Sequence, residues 1–298
     1  MKVVYGHTDS IYVKIDDLEK AKETVGIINE HVRSIFPNLL DLDEHPVTLE
    51  FEKYFHSLGV GATKNRNAGL ITWKDGKNLE EMEFTMTGFT AKRVSETKLS
   101  KEVQLTVLRM WAESKTEKEI SSYLNDKYYQ VLNGNISLSE ITKKSRYRDI
   151  RFQVECKTCK KNSNLNTLVM SPCCSLPKLT TVEGKNVTVG AGIAGILFYN
   201  NLPNNTAITD SYLYCKIKEN SNNTFIHPVT QQSIVTTWYS ANNEKEIELF
   251  LKSSRSSIDW FYYANTVVKK AEPVYLAMGW STANITKDKN QKDLEEWF

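Results

Sequence analysis

The hydrophobic pattern at the start of the chain predicts a β-hairpin. Two runs of β-branched and aromatic residues, Val3–Tyr5 and Ile11–Ile15, flank the residues GHTD. Further strands are predicted for VTLEFEKYF (residues 47–55) and AGLITW (residues 68–73), which are rich in the same residue types. We therefore expect antiparallel sheet structure in this part of the chain.

A helix is predicted directly behind the hairpin. Asp16 and Glu19 form a capping-box pattern, apolar residues recur at helical spacing from Leu18 to Ile35, and Pro37 ends the run. This helix is expected to lie on the sheet that holds the hairpin. The block up to about Gly88 is therefore predicted to be α+β.

From about residue 93 to residue 149 the pattern becomes helical. Apolar residues repeat every four positions from Leu99 to Trp111, and two further helices are predicted from capping boxes. These boxes pair Thr116 with Glu119 and Ser137 with Glu140; Gly134 ends the first of the two helices.

Later segments mix apolar runs with polar stretches. The run VTVGAGIAGILFYNN (residues 187–201) resembles a strand, and a long helix is predicted from near Ser257. Pro273 should kink or split that helix. The charged tail TKDKNQKDLEEWF is expected to order only on meeting a partner.

Composition sets broad limits on the class of protein. The chain has 298 residues, 40% of them apolar, which suffices for one large or two modest domains. Its formal net charge of +2 does not by itself require a polyanionic partner. Without a signal sequence or a membrane-spanning run, we expect a soluble cytoplasmic protein.

Four of the five cysteines fall in one short segment. Cys156 and Cys159 form a CxxC pair, Cys173 and Cys174 follow, and Cys215 stands apart. Four thiolates suit a closed structural Zn²⁺ site, although adjacent cysteines are poorer chelators than a CxxC pair. The alternative is that these residues are free or partly buried thiols.

Taken by itself, the aspartate in the predicted hairpin has two interpretations. A carboxylate on a tight turn is well placed to bind Mg²⁺, which prefers oxygen ligands, but hairpin aspartates often only stabilise the turn. The string YGHTDS shifts the balance towards metal binding, because it closely resembles motif C of family B DNA polymerases, usually written YGDTDS. The motif comprises Tyr5, Gly6, His7, Thr8, Asp9 and Ser10.

The resemblance continues in order along most of the chain. LEFEKYF resembles the strand that follows motif C, and TKNRNAGL resembles the KKRY motif that holds the primer–template duplex. TGFTAKRVSETKLSKEVQ resembles the palm-to-thumb junction, and SSIDWFYYANTVVKKAEPVYLAMGW the late thumb helix. The implied fold is α+β: part of a polymerase palm, with an antiparallel sheet and a packed helix, then a mainly helical thumb with a small zinc-ribbon-like insert.

The resemblance implies domain boundaries and a catalytic role. Residues 1–92 would be the C-terminal half of the palm, 93–285 the thumb with the cysteine insert at 150–185, and 286–298 a flexible tail. Asp9 matches the principal Mg²⁺ ligand of motif C in a two-metal mechanism.

The other metal-binding aspartate of the family, in motif A, lies upstream of motif C, as do the fingers and exonuclease domains. Because the chain begins with Met just before motif C, it resembles the small subunit of an archaeal-type split polymerase; a truncated chain is the alternative.

His7 occupies the position of the first motif C aspartate. It could be a metal ligand or a proton carrier, or a tolerated substitution at a secondary position. The resemblance favours a tolerated substitution, since Asp9 is intact. The main alternative function, a noncatalytic DNA-binding and clamp-adaptor subunit descended from a polymerase, draws its support from His7.

Basic residues are candidate contacts to the DNA backbone. Lys64 and Arg66 match the first and third positions of KKRY, whereas Asn65 and Asn67 depart from it. The other candidates are Lys92 and Arg93, with Lys98 and Lys101, and a second cluster of Lys143, Lys144, Arg146, Arg148 and Arg151. Solvated surface charge is the alternative. Glu50 and Glu52 are expected on one strand face, where family members carry acids near the metals.

The C-terminal residues match a clamp-binding box. Gln291, Leu294, Trp297 and Phe298 have the spacing Q-x-x-h-x-x-a-a, which places an aliphatic side chain and two aromatic side chains on one helical turn. The expected partners are therefore a large polymerase subunit, primer–template DNA and a sliding clamp, near the nucleoid.

Overall fold

A computed structural model describes residues 2–6, 10–147, 153–156, 162–164, 185–203, 205–228, 231–254 and 256–287. The chain divides into two compact units. The first comprises Met1–Lys92, Val103–Asn125 and Val268–Phe298, and the second Arg93–Glu102 and Asp126–Val267. Helices and antiparallel sheets occur together, which confirms the α+β class. No helix among the described residues is both long and apolar enough to cross a bilayer.

The first unit contains a hairpin and a three-stranded sheet. The hairpin pairs β1 (Lys2–Gly6) with β2 (Ile11–Lys14), as predicted. The sheet has the order β3-β4-β5, with strands Lys53–Val60, Asn67–Lys74 and Lys77–Thr87. Strand β4 confirms the AGLITW prediction, whereas β3 begins later than predicted. Residues 47–52 lie outside the strands, so the expected strand face shared by Glu50 and Glu52 does not exist.

Helix α1 (Leu18–Ile35) follows the hairpin. Its N-cap is Asp17, one residue later than predicted, and the Asp17 carboxylate accepts a 2.7 Å hydrogen bond from the Lys20 backbone N–H. Ala21 is the buried residue of this helix, whereas Ile27 is 60% exposed. The predicted apolar face is therefore present but remains largely open within this chain.

Seven further helices are described, together with one short 3₁₀ segment. Helices α2, α3, α4 and α7 confirm predicted helices. Helix α7 runs through Pro273 unbroken, so the predicted split does not occur. The bounds are η1 Thr90–Lys92, α2 Lys98–Ala112, α3 Glu117–Leu132, α4 Leu138–Ile141, α5 Ala191–Asn200, α6 Glu244–Ser253, α7 Trp260–Met278 and α8 Ala283–Thr286.

Close backbone–ring contacts and buried hydrogen bonds hold the first unit together. A Cβ on Gly59 of β3 would lie 2.5 Å from the Trp111 ring, so only glycine allows this approach. The buried hydroxyls of Ser121 and Tyr275 are 2.6 Å apart, and the Asn125 side-chain amide donates to the Ile285 carbonyl at 2.9 Å. These bonds tie distant stretches of sequence into one core.

The second unit carries more sheet structure than the sequence predicted. One sheet has the order β13-β10-β6, a two-stranded sheet joins β11 to β12, and a third has the order β8-β7-β9. The strands are β6 Lys143–Arg146, β7 Gln153–Cys156, β8 Asn162–Asn164, β9 Lys185–Thr188, β10 Ser211–Lys216, β11 Thr224–Ile226, β12 Ser233–Val235 and β13 Trp238–Ala241.

The strand predicted within residues 187–201 is wrong for most of its length. Residues 191–200 form α5, which buries most of its surface, so the apolar run shows no one-sided helical pattern. Two glycines permit the packing: a Cβ on Gly192 would lie 2.5 Å from the Tyr212 hydroxyl oxygen, and one on Gly195 would lie 2.8 Å from the Ser240 backbone nitrogen. A continuous apolar run cannot by itself distinguish a buried helix from a buried strand.

Candidate metal site and nucleic-acid interface

The hairpin holds the residues on either side of the motif C turn. Tyr5 is opposite Tyr12, and Gly6 is opposite Ile11, in the antiparallel register. Ser10 is half-buried, while His7, Thr8 and Asp9 lie outside the described residues. The structure thus places both strands leading to the turn, and the metal-binding role of Asp9 stays a prediction.

Aromatic contacts fasten this hairpin to the three-stranded sheet. The rings of Tyr5 and Tyr12 are 5.5 Å apart, and the ring of Tyr12 lies 6.1 Å from that of Phe55 in β3. The Tyr54 hydroxyl also donates to the Ile15 carbonyl at 3.2 Å. Side chains of β3 therefore hold the motif C strands in a fixed position.

The turn between β3 and β4 carries Lys64 and Arg66, the predicted DNA contacts. It closes through a 2.7 Å hydrogen bond from the Gly61 N–H to the Arg66 carbonyl. Lys64 is exposed and Arg66 half-buried, whereas Asn67, at the tyrosine position of KKRY, is buried. Contact of Lys64 and Arg66 with phosphates stays a prediction.

Asn65 joins this turn to motif C. The Tyr5 hydroxyl donates to the Asn65 side-chain oxygen at 3.0 Å and accepts from the Asn65 N–H at 3.0 Å. Asn65 has a φ of 62°, a left-handed conformation that asparagine tolerates better than most residues. In the sequence, Asn65 is visible only as a departure from KKRY; the preference of asparagine for turns was the available signal.

A glycine at the end of β5 completes this arrangement. Gly88 has a φ of 77°, and a Cβ there would lie 1.8 Å from the Asn65 carbonyl oxygen. A side chain at this position would therefore push the turn away. The close approach explains the glycine in TGFTAKR more directly than backbone freedom alone.

The segment after Gly88 presents the next predicted cations. Lys92 and Arg93 are both exposed. The Gln104 side-chain oxygen accepts hydrogen bonds from the Ala91 N–H at 2.7 Å and from the Thr90 hydroxyl at 3.0 Å. Gln104 is only 3% exposed, so it acts as an internal support for η1, a role the sequence did not reveal.

The second basic cluster lies in the second unit. Lys143, Lys144 and Arg146 belong to β6, where Lys144 and Arg146 are exposed and Lys143 is half-buried opposite Tyr214 of β10. Arg148 and Arg151 lie outside the described residues. The strand therefore presents two open cations, and their contact with DNA stays a prediction.

The remaining predicted sites fall mostly outside the described residues. This holds for Cys159, Cys173 and Cys174, and for the tail with Gln291, Leu294, Trp297 and Phe298; Cys156 is placed only as the last backbone position of β7. Within the described part of the chain, no cluster of three or more His, Cys, Asp or Glu side chains could hold a metal ion. Burial raises the pKa of the Cys215 thiol to about 12, so that cysteine stays protonated and structural.

Comparison with known proteins identifies the family. A stretch of 139 residues, 47% of this chain, is 28% identical to the DNA polymerase zeta catalytic subunit of Arabidopsis thaliana. The match covers 7% of that subunit, so the chain spans a small fraction of its relative. The sequence model of DNA polymerase family B matches residues 1–272, and the chain therefore belongs to DNA polymerase family B.

Proposed function

We propose that this chain is the small subunit of a DNA-directed DNA polymerase and supplies one catalytic carboxylate and part of the grip on DNA. The observation that carries the proposal is the pair of hydrogen bonds between Tyr5 and Asn65. They join the strand entering motif C to the turn that presents Lys64 and Arg66. A polymerase needs this coupling, because the primer end must lie at the metal site while cations hold its backbone.

Asp9 is the residue that would hold Mg²⁺. One hairpin carboxylate fits Mg²⁺, which is usually bound through one or two protein carboxylates together with substrate phosphates. Bound metal ions supply activation of the primer hydroxyl and charge stabilisation at the leaving pyrophosphate. A second aspartate is required from a motif A that these 298 residues do not contain.

The partner would be a larger polypeptide with exonuclease, fingers and motif A. Lys64, Arg66, Lys92 and Arg93 would contact phosphates without reading sequence. Gln291, Leu294, Trp297 and Phe298 would bind a sliding clamp, and the four clustered cysteines would hold a structural Zn²⁺. The expected location is the cytoplasm, at the nucleoid.

Primer extension tests the proposal. With Mg²⁺ and all four nucleotides, the purified chain alone should add no nucleotides, whereas the chain mixed with the motif A polypeptide should extend the primer. Robust extension by the chain alone would overturn the need for a partner. A mixture that binds primer–template and the clamp but never extends would favour the alternative, a noncatalytic DNA-binding and clamp-adaptor subunit, which the His7 substitution supports.

A further inference from the structure

The loop after α1 exposes apolar side chains to an unusual degree. In residues 36–47, hereafter the 36–47 loop, Leu39 is 87% exposed and Leu40 is 77% exposed. Phe36, Leu42 and Val47 are each about half exposed. Isolated exposed leucines are ordinary, but five large apolar residues in one short loop form a patch of the kind that marks an interaction site.

Internal hydrogen bonds hold this loop in one shape. The His45 ring bridges its two ends, with Nε2 2.6 Å from the Phe36 carbonyl and Nδ1 2.7 Å from the Val47 carbonyl. The Asn38 side chain spans the tip, donating to the Leu42 carbonyl at 2.7 Å and accepting from the Leu42 N–H at 3.2 Å. Leu39 and Leu40 are therefore held in place before a partner binds, which lowers the conformational entropy lost on binding.

The charge of the loop indicates the chemistry of its partner. Asp41, Asp43 and Glu44 are exposed, and residues 36–47 contain no lysine or arginine. Exposed apolar side chains interspersed with charged ones occur at protein interfaces. The carboxylates would repel nucleic-acid or lipid phosphates, and they complement a pocket rimmed by lysine or arginine.

Helix α1 lies between motif C and the 36–47 loop in the sequence. That helix has 18 residues, which at 1.5 Å per residue makes it about 27 Å long. The side-chain hydrogen bonds of Asn38 and His45 that hold the loop are made within residues 36–47, whereas the hairpin is held by Tyr12, Tyr54 and Phe55. This separation allows docking and metal-site chemistry to be tested independently.

We propose that the 36–47 loop is a docking element that inserts Leu39 and Leu40 into a cation-rimmed apolar pocket of the polypeptide supplying motif A. The inference rests on the proposed function, since it names a surface by which that partner is held. It is independent of the catalytic role of Asp9, because it concerns assembly and not nucleotide addition.

Calorimetric titration of the purified chain with a polypeptide carrying exonuclease, fingers and motif A tests the inference. The double substitution Leu39→Ser/Leu40→Ser should raise Kd at least about tenfold, as loss of central apolar contacts does. Val94→Ser is the matched control, because Val94 is 90% exposed but lies outside the loop. Circular dichroism melting should be nearly unchanged in both variants.

A charge-neutral loop provides a second measurement. Asp41→Asn/Asp43→Asn/Glu44→Gln should slow association and flatten its dependence on salt, and asparagine suits the φ of 46° at position 41. Equal Kd values for the wild-type chain and the double serine variant would overturn the inference alone. Self-association of the wild type that the serines abolish would assign the loop to a second copy and overturn it. If the wild-type chain formed no complex, the proposed function would fail and this inference with it.

Discussion

The Tyr5 hydroxyl and Asn65 exchange two hydrogen bonds of 3.0 Å across sixty positions of sequence, one to the side chain and one to the backbone. Tyr5 begins motif C, and Asn65 lies between the two cations that match the duplex-binding motif. The bonds set the position of Lys64 and Arg66 relative to the hairpin. The link is within the first unit and needs no partner to form.

Removal of the Tyr5 hydroxyl should weaken the grip on DNA more than it slows chemistry. In the assembled enzyme, Tyr5→Phe should raise the KM for primer–template roughly two- to tenfold, because a lost hydrogen bond costs about 0.5–1.5 kcal/mol. The value of kcat should change less, since the ring remains against Tyr12. Steady-state extension at varied primer–template concentration gives both constants.

Substitutions at Asn65 distinguish the contribution of its side chain from that of its backbone conformation. Asn65→Gly keeps the left-handed φ and the backbone N–H that donates to the Tyr5 hydroxyl, so it should raise KM less than Tyr5→Phe does. Asn65→Ala adds backbone strain of about 1 kcal/mol. In a Tyr5→Phe background, Asn65→Gly should add little, because Tyr5→Phe has already removed the hydrogen bond to the Asn65 side chain. Fully additive KM effects would show that the two residues act separately.

Gly88 should tolerate a methyl group far less well than Gly76, a glycine of similar backbone conformation. Gly88→Ala places a Cβ 1.8 Å from the Asn65 carbonyl oxygen and should destabilise the fold by roughly 3 kcal/mol. Gly76 has a φ of 84°, but among the described residues beyond its chain neighbours no atom lies within 4 Å of the point that a Cβ would occupy. Gly76→Ala should therefore cost only about 1 kcal/mol. Urea denaturation of both variants measures the difference, and equal losses would mean that the turn moves freely.

Local chemistry allowed much of the helical structure to be predicted. The capping boxes at Thr116 and Ser137 begin α3 and α4, and Gly134 ends α3 with a φ of 72°. Each signal depends on residues three or four positions apart. Such local signals do not depend on tertiary packing, so they can be recognised in the sequence alone.

Long-range packing explains what the sequence did not reveal. The apolar run of α5 lacks a polar face and so resembles a strand. Gly192 and Gly195 are needed because Tyr212 and Ser240 approach their backbone closely, and that approach is seen only in the folded chain. Strand β5 was missed, although Asp75 and Gly76, both with positive φ, form a hairpin turn that the sequence does signal.

In the candidate site, too, some features could be predicted from the sequence and others could not. The hairpin follows from residue type and spacing, and the resemblance to KKRY indicated Lys64 and Arg66, so these candidates could be named from the sequence. The hydrogen bonds of Asn65 to Tyr5 and of Gln104 to Ala91 join residues far apart in sequence, and only the folded chain brings them together.

Asp9 and His7 should differ sharply in importance. In the assembled enzyme, Asp9→Ala should abolish synthesis, because it would remove the carboxylate that the proposed function assigns to Mg²⁺. His7→Ala should retain synthesis, since a tolerated substitution at a secondary position changes metal affinity only modestly. Primer extension across a range of Mg²⁺ concentrations measures both effects. Equal loss from both substitutions would make His7 a primary ligand.

The capping box before α3 should give the protein a measurable acid sensitivity. Hydrogen bonds from the Thr116 backbone N–H and hydroxyl, followed by the Lys115 ammonium, hold the pKa of the Glu119 carboxyl below its usual 4.5. A lowered pKa means that ionised Glu119 stabilises the fold above pH 4.5, and that this contribution is lost as pH falls through the folded-state value. Glu119→Gln should therefore lower Tm at pH 7, and the two Tm values should converge once the pH has fallen below the lowered pKa of Glu119. Glu113→Gln, which removes an exposed charge at the end of α2, is the control; a pH-independent Tm difference for Glu119→Gln would show that the ionised carboxylate is not what caps α3.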